Sequence, residues 1–143
     1  MAETLDIGPG TRVFEVDCGQ GDFLIPLHDN NYIVGGMDRD RDAIAKAIEA
    51  IPDGVFQVGA ASSLDPAVPW HVVICRSLAR SPDRDYLRGL LARMFAKATH
   101  AIALLDVPDA QRQWMLHALT EIGASAIQFE DAAAGSFNVF ARV

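Results

Sequence analysis

The stretch from Val13 to Phe23 constrains the fold more than any other, because it passes quickly from an apolar run through a glycine turn to a helix start. Val13 to Val16 is a short apolar run, typical of a strand buried on both faces. Gly19-Gln20-Gly21 then forms a turn, and Asp22 lies near the positive end of the predicted helix. Such a unit can cradle a polar ligand, because glycine allows close backbone approach and helix-start N–H groups point into the gap. The alternative is a purely structural turn between two core elements, which these residues alone leave open.

A second apolar segment indicates which ligand class the turn would serve. Residues 32–38 read as a strand that ends in the carboxylate of Asp38, which lies 17 positions after Gly21. An acid at the end of the second strand of such a unit is placed to accept hydrogen bonds from ribose hydroxyls. A dinucleotide fingerprint requires a third glycine after Gly21, and this chain has none at that position. The pattern therefore favours a nucleoside-type site over that of a nicotinamide-dependent oxidoreductase.

At this point the residues resemble those of the class I S-adenosylmethionine-dependent methyltransferases. The first motif of that family is an apolar strand followed by Glu/Asp-x-Gly-x-Gly-x-Gly, and residues 15–21 are similar to it with one substitution. Asp17 stands where the family usually has its first glycine. Residues 23–27 and 36–38 resemble the first helix and second motif of the family, and a weaker resemblance continues to the last residue.

The resemblance implies a cofactor, S-adenosylmethionine, and a set of residues to bind it. Residues 15–21 would surround the methionine part, Asp38 would hold the ribose, and Arg39 with residues 60–62 would line the adenine pocket. Arg76 follows the fourth predicted strand and would lie over the cleft. The candidate cofactor-binding residues are Glu15, Asp17, Cys18, Gly19, Gln20, Gly21, Asp38, Arg39, Ala60, Ala61, Ser62 and Arg76.

Two further positions depart from the pattern of the family. The third strand of the family commonly ends Gly-Asp-Ala, and that acid accepts the adenine amino group, whereas this chain has Ala60 in its place. Ser62 or Ser63 could substitute as an acceptor. The fourth motif usually opens with Asp, and here His71 replaces it. An imidazole invites a general-base role, but we expect His71 at the end of the strand away from the cleft.

The remaining pattern predicts an α/β fold in one domain over residues 1–143, with residues 1–11 as a short lead-in. Strands alternate with helices and are followed by a closing pair of strands. This order predicts a Rossmann-like, doubly wound, mostly parallel seven-stranded sheet with one antiparallel strand. The predicted strands are 13–16, 32–38, 55–60, 70–75, 101–107, 126–130 and 137–141, and the predicted helices start near 22, 39, 83 and 108. In the helix from Asp83, the Met and aromatic positions are interpreted as core.

Composition and charge limit the classes of binding partner that the sequence favours. The net charge is −7, with 12 basic and 19 acidic residues, which disfavours a nucleic-acid substrate. The one arginine-enriched segment, from Arg76 through Arg80 to Arg93, is interpreted as a solvated surface. No apolar run approaches the roughly 20 residues of a membrane helix, so a cytoplasmic location is expected. The cysteines and histidines show no metal-ligand spacing, so no metal site is expected.

The sequence therefore favours an S-adenosylmethionine-dependent methyltransferase acting on a small-molecule acceptor. No catalytic residue is indicated, because methyl transfer depends mainly on alignment of the reacting atoms. The alternative is a catalytically inactive methyltransferase-like binding domain, which the substitutions at Asp17, Ala60 and His71 favour. The short lead-in suggests either a loosely held small substrate or a site completed by a partner subunit, such as a second copy in a homodimer.

Overall fold

The computed structural model of the protein describes residues 1–76 and 81–143. Residues 77–80, including Arg80 of the arginine-enriched segment, lie outside the described residues. The strands form one sheet of order β3-β2-β1-β4-β5-β7-β6. Strands β1 to β5 are parallel where they pair, and β7 is antiparallel to both β5 and β6. The predicted seven-stranded α/β sheet with one antiparallel strand is confirmed.

The elements follow one another in a regular alternation of strands and helices. The strands are β1 (Arg12–Val16), β2 (Ile33–Asp38), β3 (Val55–Val58), β4 (Trp70–Cys75), β5 (Ala98–Pro108), β6 (Ala126–Asp131) and β7 (Ser136–Arg142). The helices are α1 (Ala2–Leu5), α2 (Leu24–Asp29), α3 (Arg41–Ala50), α4 (Arg84–Lys97) and α5 (Arg112–Glu121), with 3-10 turns at Ala61–Ser63 and Asp109–Gln111.

Side-chain alternation along the strands builds a core on each face of the sheet. On one face, Phe14 and Val16 of β1 pack with Met94 of α4 and Leu119 of α5. On the other face, Val13 belongs to the cluster that includes residues of α1, α2 and α3. Period-2 burial on both faces is what a central parallel strand requires. The result is a three-layer arrangement that leaves the strand ends accessible.

The boundaries differ from the predicted ones where local sequence is ambiguous. The predicted lead-in contains α1, whose Leu5 is 1% exposed and therefore part of the core. Helix α2 begins at Leu24 rather than near Asp22, because the N–H groups of Leu24 and Ile25 both donate to the carbonyl of Gly21. None of the helices within residues 1–76 and 81–143 is long and apolar enough to cross a bilayer.

A buried lysine forms hydrogen bonds to the segment that precedes β4. Lys97 is 3% exposed, and its ammonium donates to the carbonyl oxygens of Asp65 (2.6 Å) and Val68 (2.9 Å). The ammonium also lies 4.9 Å from the centre of the Phe14 ring. Burial lowers the pKa of Lys97. The charge is therefore tolerated only because backbone oxygens and an aromatic face surround it.

Replacing Lys97 with Met is expected to lower the free energy of unfolding by about 1–2 kcal/mol, because two hydrogen bonds from a charged donor are lost while the aliphatic stem is kept. Chemical denaturation measures the change. Lys46→Met, at an exposed position of α3, is the control and should stay within about 0.5 kcal/mol of the parent. Equal stabilities of the two variants would show that the contacts of Lys97 contribute nothing.

Candidate functional site

The candidate site lies where the strand order reverses, between β1 and β4. Val16 at the end of β1 is in register with Met37 on one side and Cys75 on the other. The next residues, Asp17, Asp38 and Arg76, therefore emerge side by side at the carboxyl edge of the sheet. Open parallel sheets bind ligands at this reversal point.

Asp38 holds the glycine turn in place. The side chain is buried, and its Oδ2 accepts a hydrogen bond from the backbone N–H of Gly19 at 2.9 Å. Its Oδ1 accepts from the backbone N–H of Asp40, also at 2.9 Å. Asp40 in turn caps α3 by accepting from two backbone N–H groups. One carboxylate thus links the turn after β1 to the start of the helix after β2.

The turn keeps a glycine-like backbone even where the side chain is not glycine. Asp17 has φ 62° and Gly19 has φ 56°, both in the left-handed region. Aspartate is one of the few residues that tolerate this region, since its short polar side chain can bond locally. A Cβ added to Gly19 would meet no atom within 4 Å, so this part of the turn faces open space. The backbone can therefore approach a ligand closely at Gly19.

Glu15 is the most unusual group of the site. Its side chain is 0% exposed, and its Oε1 lies 2.9 Å from Nε of Arg76. Its Oε2 is buried and has no hydrogen-bond partner among the described residues. Burial raises the pKa of Glu15 to about 7, although the Arg76 guanidinium acts in the opposite direction. The carboxylate therefore retains an unmet capacity to accept a hydrogen bond.

Arg76 is held between this acid and an aromatic ring. Its guanidinium carbon lies 4.9 Å from the centre of the Phe23 ring, and 38% of its side chain is exposed. The contact with Phe23 is a cation–π interaction in the turn region. Sequence reasoning did not find Phe23 as a partner, because nothing in the order of residues indicates that β4 and the turn meet through Arg76.

A cavity of about 250 Å³ opens beside the turn. Five of the candidate residues line it, and so does an aromatic residue that sequence reasoning assigned to the core. The described residues of the lining are Asp17, Arg39, Gly59, Ala60, Ala61, Ser62 and Tyr86.

Tyr86 lies within the first turn of α4, where its backbone N–H donates to the side chain of Asp83, the N-cap. The ring packs partly on the core and also faces the cavity. Its helical spacing with Leu90 predicted only a core role, and that interpretation was incomplete. The position of Tyr86 in the sequence could have indicated a place at the cavity, because the start of a helix that follows a parallel strand lies at the ligand-binding edge of the sheet.

The other candidate residues do not line the cavity. Cys18 is buried, and its Sγ would stand 2.7 Å from a Cβ placed on Gly36, so it packs against β2. Burial raises the pKa of Cys18 to about 12, which leaves an unreactive thiol. Gly21 lies close to Ala47 of α3, and Gln20 is exposed. These three residues shape the turn rather than the cavity wall.

His71 lies at the amino end of β4, where its Nδ1 accepts from the backbone N–H of Arg12 at 3.0 Å. This end of the strand is opposite to the one that carries Arg76, as the sequence analysis expected. Within the described ranges, no three His, Cys, Asp or Glu side chains come together as a metal site would require.

Comparison with known proteins identifies the fold. No protein-family model matches the chain, and no curated protein matches it by sequence. Solved structures match it well. Magnesium protoporphyrin IX methyltransferase from Synechocystis PCC 6803, with bound SAM, superposes with a TM-score of 0.77 over 94% of this chain and 70% of that one, at 19% identity. The chain has the class I methyltransferase fold.

Other solved structures with this methyltransferase fold agree. A TehB-like SAM-dependent methyltransferase from Corynebacterium glutamicum gives a TM-score of 0.76 at 15% identity, covering 99% of this chain and 84% of that one. An amino pentose methyltransferase from Micromonospora echinaspora, with bound SAM, gives 0.77 at 14% identity, covering 93% and 83%. At such identities, similarity of architecture is the only property that carries over.

Proposed function

We propose that the protein is an S-adenosylmethionine-dependent methyltransferase that acts on a small-molecule acceptor. One observation carries the proposal. At the point where strand order reverses, a glycine turn that is hydrogen-bonded to a carboxylate lies next to a cavity. Asp38 ties the turn, and the cavity opens directly beside it. The cavity volume lies just below the usual range of about 300–1,000 Å³ for whole ligands, so it suits one part of an extended ligand.

The residues of the site fit the parts of this cofactor. The cavity walls are small and aliphatic at residues 59–61 and aromatic at Tyr86, which suits a flat heterocycle. Asp38 stands at the end of β2 and is bonded to the turn at Gly19, and a carboxylate in this position of such a fold can accept from ribose hydroxyls. Glu15, buried with an unmet acceptor oxygen, suits the cationic methionine end. When bound, the cofactor supplies a methyl group on a sulfonium, which is an activated leaving group.

The contribution of the chain is then alignment rather than acid–base chemistry. The turn at Gly19 positions the ligand by backbone contact, and Asp38 fixes the turn. The two matching structures described with bound SAM support the choice of cofactor, and their names refer to a porphyrin and an amino pentose. These names support a small-molecule acceptor here as well.

One observation favours a second function, that of a binding domain without catalysis. Glu15 already has a cationic partner in Arg76, at 2.9 Å. A guanidinium on Oε1 already neutralises the buried acid, so it weakens the attraction of the same carboxylate for a ligand ammonium. In that case, the domain would hold a less cationic nucleoside ligand and transfer nothing.

The test is isothermal titration of the purified chain with S-adenosylmethionine and, separately, with S-adenosylhomocysteine. We expect micromolar dissociation constants for both, which correspond to about −8 kcal/mol. NAD is the control ligand and should not bind, because the third glycine of its fingerprint is absent. Binding of S-adenosylhomocysteine without binding of S-adenosylmethionine would support the non-catalytic domain. Failure of both ligands to bind a demonstrably folded chain would refute the cofactor assignment.

A further inference from the structure

Strand β3 leaves one edge of the sheet open. It comes first in the strand order, so it pairs with β2 on one side only. Just after β3, the N–H of Gly59 donates to the carbonyl of Asp38 in β2. Because the direction of these groups alternates along a strand, the N–H and C=O groups of Phe56 and Val58 point away from β2. No hydrogen bond from another described segment reaches them, so they form a template for a further strand.

The β3 edge lacks the features that usually prevent pairing. Natural edge strands are commonly protected by charged side chains, by proline or by a bulge. Residues 54–64 contain neither a charge nor a proline, and Val55 and Val58 are 56% and 46% exposed. The opposite edge strand, β6, carries Glu130 and Asp131. Of the two edges, β3 is therefore the one that is open to another chain.

The sequence of β3 is suited to pairing with an inverted copy of itself. An antiparallel copy related by a two-fold axis at Gln57 sets Phe56 opposite Val58 of the second copy, and Val58 opposite its Phe56. These are the two residues whose backbone groups point outward, so each pair exchanges two hydrogen bonds. An aromatic side chain opposite a β-branched one also stabilises a sheet. An axis at either neighbouring residue would leave only one hydrogen-bonded pair within the strand.

The distribution of charge favours a second copy as the partner of this edge. The net charge of the chain is −7, so two copies repel each other wherever their acidic surfaces meet. The uncharged segment is bordered by Asp53 and Asp65, and it offers no charged side chain with which to select a basic or an acidic peptide. The axis at Gln57 sets Asp53 beside Ala61 of the second copy, so like charges do not meet across the paired strands. An acidic chain can thus approach its own copy along this edge.

We propose that the protein forms a two-fold symmetric dimer in which β3 pairs antiparallel with β3 of a second copy, centred on Gln57. The two sheets then join into one. The start of the second copy's strand comes to lie beside the end of β3, after which residues 59–62 contribute to the cavity lining. The second copy therefore borders the candidate site. The inference does not depend on the proposed cofactor.

Sedimentation equilibrium of the purified chain tests the proposal. We expect a monomer–dimer equilibrium with a dissociation constant in the micromolar range. The side chain of Gln57 is exposed, so substitutions there should leave the monomer folded. Gln57→Lys should weaken the dimer by about fivefold or more, because two like charges would stand directly opposite each other at the axis. Gln57→Glu should weaken it similarly, and an equimolar mixture of the two variants should recover an affinity within about threefold of the parent, since opposite charges then face each other.

Two further variants complete the test. Gln128→Lys changes the same residue type at an exposed position of β6 and should leave the dissociation constant unchanged. Gln57→Cys should give a disulfide-linked dimer on oxidation, because the Cα atoms of such a pair lie about 4.5 Å apart. Cys18 and Cys75 are buried, so the parent is the control for this reaction. A parent chain that stays monomeric above about 100 µM, or a dimer on which Gln57→Lys has no more effect than Gln128→Lys, would overturn the proposal.

Discussion

Replacing Asp38 with alanine is expected to weaken binding of S-adenosylhomocysteine by about 5- to 150-fold, which corresponds to about 1–3 kcal/mol. Two effects add. The ribose hydroxyls would lose an acceptor, and the N–H groups of Gly19 and Asp40 would lose the carboxylate that orders the turn. Titration calorimetry measures the affinity. Thermal unfolding of the unliganded variant should show a loss of about 1–2 kcal/mol from the backbone contacts alone.

Two variants separate these effects for Asp38. Glu49→Ala removes one negative charge at an exposed position of α3 and should leave affinity unchanged. Asp38→Asn keeps one acceptor oxygen for the backbone and should recover much of the stability while binding remains weak. An Asp38→Ala variant that binds as tightly as the parent would exclude Asp38 from the ligand site.

Replacing Glu15 with glutamine is expected to stabilise the folded chain at pH 8 by about 3 kcal/mol more than at pH 4.5. Burial raises the pKa of Glu15 from 4.5 to about 7, so the native state binds a proton that the unfolded chain releases. The contribution of Glu15 to stability is thus complete below about pH 4.5 and is lost as the pH rises through about 7. A shift of this size corresponds to about 3 kcal/mol.

The measurement is urea denaturation of both proteins between pH 4.5 and pH 8, since all other titrating groups are common to the pair. Arg76→Gln is the companion variant. The guanidinium lowers the pKa of Glu15, so its removal should steepen the loss of stability with pH. Parallel pH profiles for the parent and Glu15→Gln would show that Arg76 keeps Glu15 ionised in the folded chain.

Much of the architecture could be predicted because each strand carries its own burial signal. Trp70 to Cys75 is a mostly apolar run between Pro69 and Arg76, and β4 has these bounds in the structure. Strand β5 was predicted from Ala101, whereas it begins at Ala98 directly after α4. Ala98 is not a strand-favouring residue, so its pairing with Trp70 of β4 decides its conformation.

The site was predictable where it depends on the chain near the turn. Gly19 and Asp38 were both predicted to belong to the cofactor site, and in the structure a hydrogen bond joins them. The pair of Glu15 and Arg76 was not expected, because the two residues are 61 positions apart and only the register of β1 with β4 brings them together. Sequence also could not reveal that Asp17 and Ala60 would line the same cavity, since this depends on the crossover through β2 and β3.

Most of the residues that line the cavity lie in the first half of the chain. Among the residues that the structure describes, its lining comes from residues 17–62, which include β2, β3 and the helix between them, and from Tyr86. Strands β5 to β7 lie on the other side of the reversal point. A mutational library confined to residues 98–143 would therefore leave the cavity wall intact while exploring a large part of the remaining surface. The two parts of the chain can therefore be varied separately, with the described cavity lining held constant while the rest of the scaffold changes.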